Sequence, residues 1–241
     1  MEQKKQAESN LLALKANPYP GRGIIVGMDK SGKYLVQVYW IMGRSENSRN
    51  RIFVIEEGGV LKTAPVDPTK VKDPNLIIYT AMEETLTHYA VSNGQQTSDA
   101  LSIRGLDSSM MTWEYESDPP NYTPRISALF IPRVFANPQT AEISILKKSP
   151  FNDHCDRYLY KLNMDYPGLG YCVTTYSGDG NPLPSFSGDP YLLPLTGDIN
   201  NVAKTIWDSL NEENRVSLAV KFIEIEKRET EIVVINKYEA A

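Results

Sequence analysis

Residues 23–42, GIIVGMDKSGKYLVQVYWIM, decide the fold class of this chain. Two runs of β-branched and aromatic residues, 23–28 and 34–42, flank the polar turn DKSG at 29–32. Such a pair of runs around a turn that ends in glycine predicts a β-hairpin. The same signature recurs further along, so we expect residues 1–90 to be mostly sheet.

Beyond this hairpin, short runs rich in β-branched and aromatic residues predict further strands. They lie at 51–56, 60–63, 76–82, 86–91, 125–131, 140–147, 171–176, 215–226 and 229–238. Apolar residues three or four positions apart predict helices at 2–16, at 97–104 with an extension to Met111, and at 199–210. No internal repeat or long linker divides the chain, which predicts one α+β domain over residues 1–241.

Residues 178–194 interrupt this alternation of strands and helices. They contain four prolines and three glycines and have almost no hydrophobic periodicity. Phe186 and Tyr191 supply apolar anchors, which favours an ordered loop over a flexible linker. We therefore expect a long loop or lid in this segment.

Composition limits the possible partners and compartments. The 241 residues include 25 Lys and Arg against 30 Asp and Glu, a net charge of -5 that argues against general binding to nucleic acids or anionic membranes. No apolar run approaches the roughly 20 residues that span a bilayer, and residues 1–15 lack the apolar stretch of a signal peptide. Together with only two cysteines, these features predict a cytoplasmic protein without a disulfide framework.

The segment GRSENSRNR at 43–51 is the most informative local feature. It holds Arg44, Arg49 and Arg51, in a chain with only ten arginines. The guanidinium group presents a planar set of donors that matches phosphate or carboxylate, so the segment predicts an anion site. A solvated turn with surface ion pairs explains these residues equally well.

Two other polar segments are weaker candidates. Residues 92–99 join a predicted strand to a predicted helix, where free N–H groups favour an anion, although helix capping by Thr97 or Ser98 is the simpler explanation. They lack the Gly-Lys-Ser/Thr ending of a phosphate-binding loop. Residues 114–125 cluster acids, a turn and Arg125, a pattern that is more often a polar loop than a site.

Several chemistries find no support in the sequence. Neighbouring residues on a strand point to opposite faces, so His154 and Cys155 are poorly placed to form a catalytic pair. His88 is the only other histidine, and no metal-ligand spacing occurs, so we expect no metal site. The motifs of serine hydrolases and dinucleotide-binding enzymes are also missing.

A set of segments, in order and over most of the chain, resembles the archaeal-type IMP cyclohydrolase family. They are PGRGIIVG at 20–27, GRS at 43–45 with Arg49 and Arg51, Tyr79, AVSNG at 90–94 with Thr97 and Asp99, Tyr115 and Glu116, and Asn121 with TPRI at 123–126. TTY at 174–176, GDG at 178–180 and PLPSF at 182–186 are similar to bacterial members of the same group. The chain departs from the shorter archaeal pattern in its N-terminal helix, around residues 121–122 and in segment 132–194.

The resemblance implies a four-layer αββα sandwich similar to the N-terminal nucleophile hydrolases, but without their nucleophile. The residues agree, since Gly21, Arg22 and Gly23 offer no Ser, Thr or Cys at the start of the first strand. The implied activity is closure of formamidoimidazole carboxamide ribonucleotide (FAICAR) to IMP and water, the last step of purine synthesis, without metal or cofactor. FAICAR, IMP and AICAR are then the expected ligands, with no nucleic acid and no membrane as partner, and we expect a homo-oligomer.

The resemblance also assigns roles to residues. It implies charge stabilisation by Arg49, proton transfer or orientation by Tyr79, and base or orienting work by Glu116. The residues that it implies for substrate binding are Arg22, Arg44, Arg51, Asn93, Thr97, Asp99, Asn121 and Arg125. A nucleotide-binding protein of the same fold without catalysis, or a protein in which 43–51 is only a charged turn, stays possible from the sequence.

Overall fold

The structure, a computed structural model, describes residues 1–102, 104–132 and 138–239. The strands in these residues are β1 (Gly23–Met28), β2 (Tyr34–Met42), β3 (Ile52–Ile55), β4 (Leu61–Ala64), β5 (Thr80–Glu84), β6 (Tyr89–Ser92), β7 (Arg125–Phe130), β8 (Thr140–Lys148), β9 (Cys155–Asn163), β10 (Leu169–Thr174), β11 (Tyr191–Pro194), β12 (Arg215–Glu224) and β13 (Thr230–Asn236). The α-helices are α1 (Glu2–Ala16), α2 (Glu46–Arg49), α3 (Pro74–Ile77), α4 (Thr97–Ala100), α5 (Leu106–Ser109) and α6 (Ile199–Trp207). Single 3₁₀ turns occupy Glu57–Gly59, Pro68–Lys70 and Met110–Thr112. None of the helices described is long and apolar enough to cross a membrane.

Two antiparallel sheets form an α+β sandwich. The first sheet has six strands in the order β11-β10-β1-β2-β12-β13, and the second has seven in the order β3-β4-β5-β6-β7-β8-β9. The predicted hairpin of β1 and β2 is confirmed and lies at the centre of the first sheet, with Gly23 opposite Trp40. The second sheet follows the order of the chain throughout, so each of its strands pairs with the next.

Alternation along the strands builds the layers. On β1, Ile24 and Val26 lie in the core between the two sheets, whereas Ile25 lies in the core on the outer face of the first sheet. Helices α1 and α6 contribute Leu14 and Val202 to that outer core. A smaller cluster joins the outer face of the second sheet to α4, α5 and the following 3₁₀ turn through Ala90, Leu129, Leu146, Ala100, Leu106 and Met110.

The strand predicted at 76–82 is wrong in its first half. Residues Pro74–Ile77 form a helical turn, because Asp73 caps it by accepting a bond from the Asn75 N–H and Pro74 occupies its first position. Strand β5 begins only at Thr80. Tyr79 therefore lies between a helix and a strand.

The helix predicted at 97–104 and beyond is interrupted. It consists of α4, α5 and the turn Met110–Thr112, with Gly105 between the helices at a positive φ of 79°. Ile103, one of the apolar positions behind the prediction, lies outside the described residues. At the end of the predicted loop 178–194, residues Tyr191–Pro194 form β11 and pair with β10.

Candidate functional site

One end of the sandwich collects most of the predicted site residues. Arg22 immediately precedes β1, and residues 43–51 follow β2, its antiparallel neighbour. Asn93 follows β6, and Arg125 opens β7, the antiparallel neighbour of β6. The two sheets meet at this end, where Nη1 of Arg22 donates to the Asn93 carbonyl oxygen at 2.9 Å.

A polar cleft of about 290 Å³ opens at this end. Its volume lies at the lower limit of the roughly 300–1,000 Å³ that is usual for small-molecule sites. Predicted site residues that line it are Arg22, Arg44, Arg51, Glu116 and Asn121. Other lining residues are Tyr19, Gly21, Met42, Ser45, Asn47, Ser48, Leu76, Ile77, Asp118, Thr123, Tyr176 and Leu183.

A buried ion pair between Arg22 and Glu116 is the most constrained part of the cleft. Nη1 and Nη2 of Arg22 donate to the two carboxylate oxygens at 2.9 and 2.7 Å, and the two side chains are only 9% and 4% exposed. Burial by itself lowers the pKa of Arg22, but the adjacent carboxylate raises it well above the ordinary value. The pair is therefore a fixed, bidentate contact.

A second guanidinium lies beside this pair. Nη1 of Arg125 is 3.9 Å from Glu116 and donates to Oε1 of Gln96 at 3.0 Å, while the Trp113 ring covers the group at 5.0 Å. Burial lowers the pKa of Arg125. Gly94 leaves the necessary space, because a Cβ there would lie 2.3 Å from Nη1 of Arg125.

Three of the predicted binding residues hold other parts of the protein in place. Asn93 donates from Nδ2 to the Pro124 carbonyl at 2.8 Å and accepts from the Ile126 N–H at 2.8 Å, which joins β6 to β7. The Thr97 hydroxyl donates to the Thr80 carbonyl at 2.6 Å. Asp99 accepts from the indole N–H of Trp113 at 2.8 Å and so acts beneath Arg125 rather than in the cleft.

Arg44 lies at the mouth of the cleft. Its Nη1 forms an ion pair with Asp179 and donates to the Gly180 carbonyl at 3.1 Å. The guanidinium also stacks over the Tyr19 ring, 4.9 Å from its centre. The side chain is 37% exposed, so these contacts leave it accessible to a ligand.

Arg51 and Asn121 also line the cleft. Arg51 is buried and uses Nε and Nη2 to bond the carbonyls of Ser48 and Met42 at 2.9 and 3.3 Å. Asn121 accepts from the Leu183 N–H at 3.1 Å and thereby holds the 178–194 loop against the cleft.

A family model described as IMP cyclohydrolase-like protein matches residues 19–228. This range covers most of the chain and every residue that lines the cleft. The chain belongs to the IMP cyclohydrolase-like family. A comparison of this chain with curated proteins finds no match.

Two residues expected to act in catalysis lie outside the lining of the cleft. Arg49 donates from Nε to the Gly43 carbonyl at 2.9 Å and from Nη2 to Oδ1 of Asn214 at 3.2 Å. It therefore connects the start of the 43–51 segment to Asn214. The Tyr79 hydroxyl shares a 2.7 Å hydrogen bond with that of Tyr39 in the core between the sheets. The structure therefore does not bring Arg49 together with Glu116.

Tyr79 nevertheless interacts electrostatically with the buried pair of Arg22 and Glu116 through Arg22. Besides burial and Glu116, the Tyr79 hydroxyl acts on the pKa of Arg22, and it also acts on the pKa of Arg125. Burial raises the pKa of its partner Tyr39 well above the ordinary value, with a further contribution from Tyr79. The two tyrosines thus form a buried hydrogen-bonded pair that influences both guanidinium groups.

The sequence reasoning missed three lining residues that contact one another: Asp118, Thr123 and Tyr176. Asp118 accepts from the Thr123 N–H at 2.6 Å and from its hydroxyl, and the Thr123 hydroxyl also bonds the Tyr176 hydroxyl. Asp118 and Thr123 belong to the polar segment 114–125, and Tyr176 to the TTY segment. Those segments drew attention to the region, but no spacing rule joins positions so far apart in the chain.

Gly21 is required at the edge of the cleft. It has a φ of +73°, and a Cβ there would lie 2.2 Å from Oγ1 of Thr175 and 2.5 Å from the Tyr176 ring. Both the backbone and the space therefore exclude a side chain. The glycine lets the chain turn tightly into Arg22.

Both cysteines are free, and neither lines the cleft. Burial raises the pKa of Cys155, and it raises that of Cys172 to about 12. The described residues contain no group of three or more His, Cys, Asp or Glu that could hold a metal ion.

Proposed function

We propose that the protein closes the purine ring of FAICAR to give IMP and water. Membership of the IMP cyclohydrolase-like family connects the chain with IMP synthesis. The observation that carries the proposal within this family is the buried Arg22–Glu116 pair, with Arg125 beside it, in a cleft that also contains Arg44 and Arg51. The protein's sandwich of two sheets, with helices on both outer faces, also supports the expected likeness to N-terminal nucleophile hydrolases.

The chemistry requires positioning and charge stabilisation above all. The carboxamide nitrogen attacks the formyl carbon of the same molecule, so the protein gains most by holding the two groups in near-attack geometry. Negative charge develops on the formyl oxygen during the attack. Fixed donors aimed at that oxygen lower the barrier because they need no reorganisation when the charge appears.

In this proposal, Arg22 and Arg125 stabilise the formyl oxygen. Glu116 orients Arg22, since both of its oxygens already accept from that guanidinium. Tyr79 acts indirectly. Its hydroxyl, held by the hydrogen bond to Tyr39, contributes to the electrostatic potential at the two arginines. This arrangement gives Arg22 and Arg125 the charge-stabilising role that the family resemblance implies for Arg49.

The other side of the cleft supplies donors for the ribosyl phosphate. Arg44 and Ser45 lie at the mouth, and Arg51 lies deeper. Oδ1 of Asn47 is buried and has no hydrogen-bond partner within the described part of the chain, which suits it to accept from a ribose hydroxyl. Arg49 then acts as a positioning residue, because it bonds the Gly43 carbonyl at the base of this segment.

The test is turnover of FAICAR, followed by chromatographic separation of FAICAR from IMP. The wild-type protein should produce IMP, and Arg22→Lys should lose most of this activity because lysine cannot make the planar two-point contact. Arg104→Lys, at an exposed position outside the cleft, is the matched control and should be unchanged.

A catalytically silent nucleotide-binding protein is the second candidate. Its signature would be a saturable thermal shift with IMP in the absence of FAICAR turnover. A protein that shows neither effect would contradict both candidates and leave 43–51 as a charged turn.

A further inference from the structure

The cleft contains two carboxylates, and only one of them is free to take a proton. Both oxygens of Glu116 accept from Arg22, so a proton on Glu116 would break a buried bidentate contact. Asp118, the second carboxylate that lines the cleft, contacts no arginine within hydrogen-bond distance in the described residues. The ring closure of the proposed function must remove a proton from the carboxamide nitrogen, and Glu116 is poorly suited to receive it.

Asp118 ends a chain of hydroxyl groups along the cleft wall. The Thr123 side chain is buried between Asp118 and Tyr176, and its single hydroxyl oxygen bonds both. All three residues line the cleft. When Asp118 is ionised, the Thr123 hydroxyl must donate to the carboxylate, and Tyr176 must then donate to Thr123.

The direction of this chain determines what Tyr176 offers a ligand. With its proton directed to Thr123, the Tyr176 oxygen presents only lone pairs to the cleft. It can therefore accept a hydrogen bond from an amide N–H but cannot donate to a carbonyl oxygen. This is the polarity that a carboxamide nucleophile needs.

We propose that Asp118 is the proton acceptor of the ring closure and that it acts through Thr123 and Tyr176. This inference rests on the proposed function, since it assigns a role within that reaction. As the carbon–nitrogen bond forms, the carboxamide N–H proton passes to the Tyr176 oxygen, the Tyr176 proton to Thr123 and the Thr123 proton to Oδ2 of Asp118. The electron pair of the formyl C=O bond moves to the oxygen beside Arg22 and Arg125.

The second half of the reaction restores the starting state. The proton on Asp118 returns through the same chain, and it leaves with the formyl oxygen and the proton of the formamide N–H as one molecule of water. The carbon–oxygen bond breaks as the ring carbon–nitrogen double bond forms. No oxidant, metal or further reactant enters the balance.

The surroundings of Asp118 support its use as a base. Burial raises the pKa of Asp118, and the nearby Glu116 raises it further, while the bonds from Thr123 and the charge of Arg22 oppose the shift. The charges of Asp118 and Arg125 also act on each other. A carboxylate with a raised pKa is a stronger base than an ordinary aspartate.

The test is the pH dependence of kcat/KM for FAICAR in the wild type and three variants. In the wild type, kcat/KM should rise with pH as Asp118 ionises, with a midpoint above the ordinary aspartate pKa of about 3.9. Asp118→Asn keeps an oxygen for the Thr123 N–H but cannot take a proton, so it should lose that rise and about 10²-fold or more in rate.

Thr123→Val and Thr123→Ser form a matched pair. Valine has the shape of threonine but interrupts the hydroxyl chain, so Thr123→Val should lose as much as Asp118→Asn, whereas Thr123→Ser should restore most of the rate. Thermal shifts with IMP show whether each variant keeps its fold and its ligand site. Wild-type turnover with an unchanged Thr123→Val rate or an Asp118→Asn profile that keeps its rise would overturn this inference alone, whereas no turnover by the wild type would overturn the proposed function with it.

Discussion

Removing the charge of Glu116 should destabilise the protein substantially. Glu116→Gln keeps the shape of the side chain but replaces one carboxylate oxygen by an amide NH₂ group, which faces donors of Arg22. The Arg22 charge then stays buried without a counter-charge, since its side chain is only 9% exposed. Arg125, 3.9 Å from the same carboxylate, loses this counter-charge as well.

The size of the effect follows from the burial of the pair. Breaking a buried ion pair by removing one partner costs about 3–5 kcal/mol of stability. In a chain of this length, roughly 2–4 °C of Tm corresponds to each kcal/mol, so Tm should fall by roughly 6–20 °C. Equilibrium unfolding in urea at neutral pH, followed by circular dichroism, measures the free energy directly.

A second carboxylate provides the control. Glu213 also pairs with an arginine, Arg49, but its side chain is 80% exposed and the separation is 3.4 Å. Glu213→Gln should therefore leave stability nearly unchanged. The reasoning fails if Glu116→Gln costs less than about 1 kcal/mol, a loss typical of exposed ion pairs.

Three further predictions concern activity. Arg49→Lys should keep the fold but lose most FAICAR turnover, because lysine cannot bond the Gly43 carbonyl and the Asn214 side chain at the same time. A near wild-type rate in steady-state kinetics would show that Arg49 is not a positioning residue. The thiols of Cys155 and Cys172 should react slowly with iodoacetamide at neutral pH, because burial raises both pKa values and keeps the thiols protonated. Prolonged alkylation of Cys155 should leave turnover intact. Rapid alkylation of either thiol, detected by mass spectrometry, would contradict this. Tyr79→Phe and Glu116→Gln should each lower kcat, and the double variant should lose much less than the sum of their free energies, whereas strictly additive losses would separate Tyr79 from the site.

Much of the sandwich could be predicted from local patterns. The hairpin of β1 and β2 follows from its two apolar runs and the polar turn between them, and the edges of β7 and β8 fall within a residue of those expected. The helical turn Pro74–Ile77 could not be predicted this way, because capping by Asp73 overrides an apolar run that suits a strand. The strand β9 (Cys155–Asn163) is a half-exposed sheet edge, so its residues lack the clear apolar signature of a buried strand.

The site was predictable only in part, because loop packing decides which of its residues face the cleft. Arg22, Glu116 and Arg125 were recognisable as members of a family pattern, and the structure places them in contact. That Arg49 points away from the cleft, whereas Asp118 lines it, depends on how loops pack at the end of two sheets. Spacing along the chain contains no information about that packing.

The most direct test of the account is a crystal structure of the protein with IMP bound. We expect the six-membered ring that cyclisation completes to lie against Arg22 and Arg125, with the phosphate towards Arg44 and Arg51. IMP bound elsewhere on the molecule, or an empty cleft at saturating IMP, would contradict the claim that this end of the sandwich is the site of ring closure.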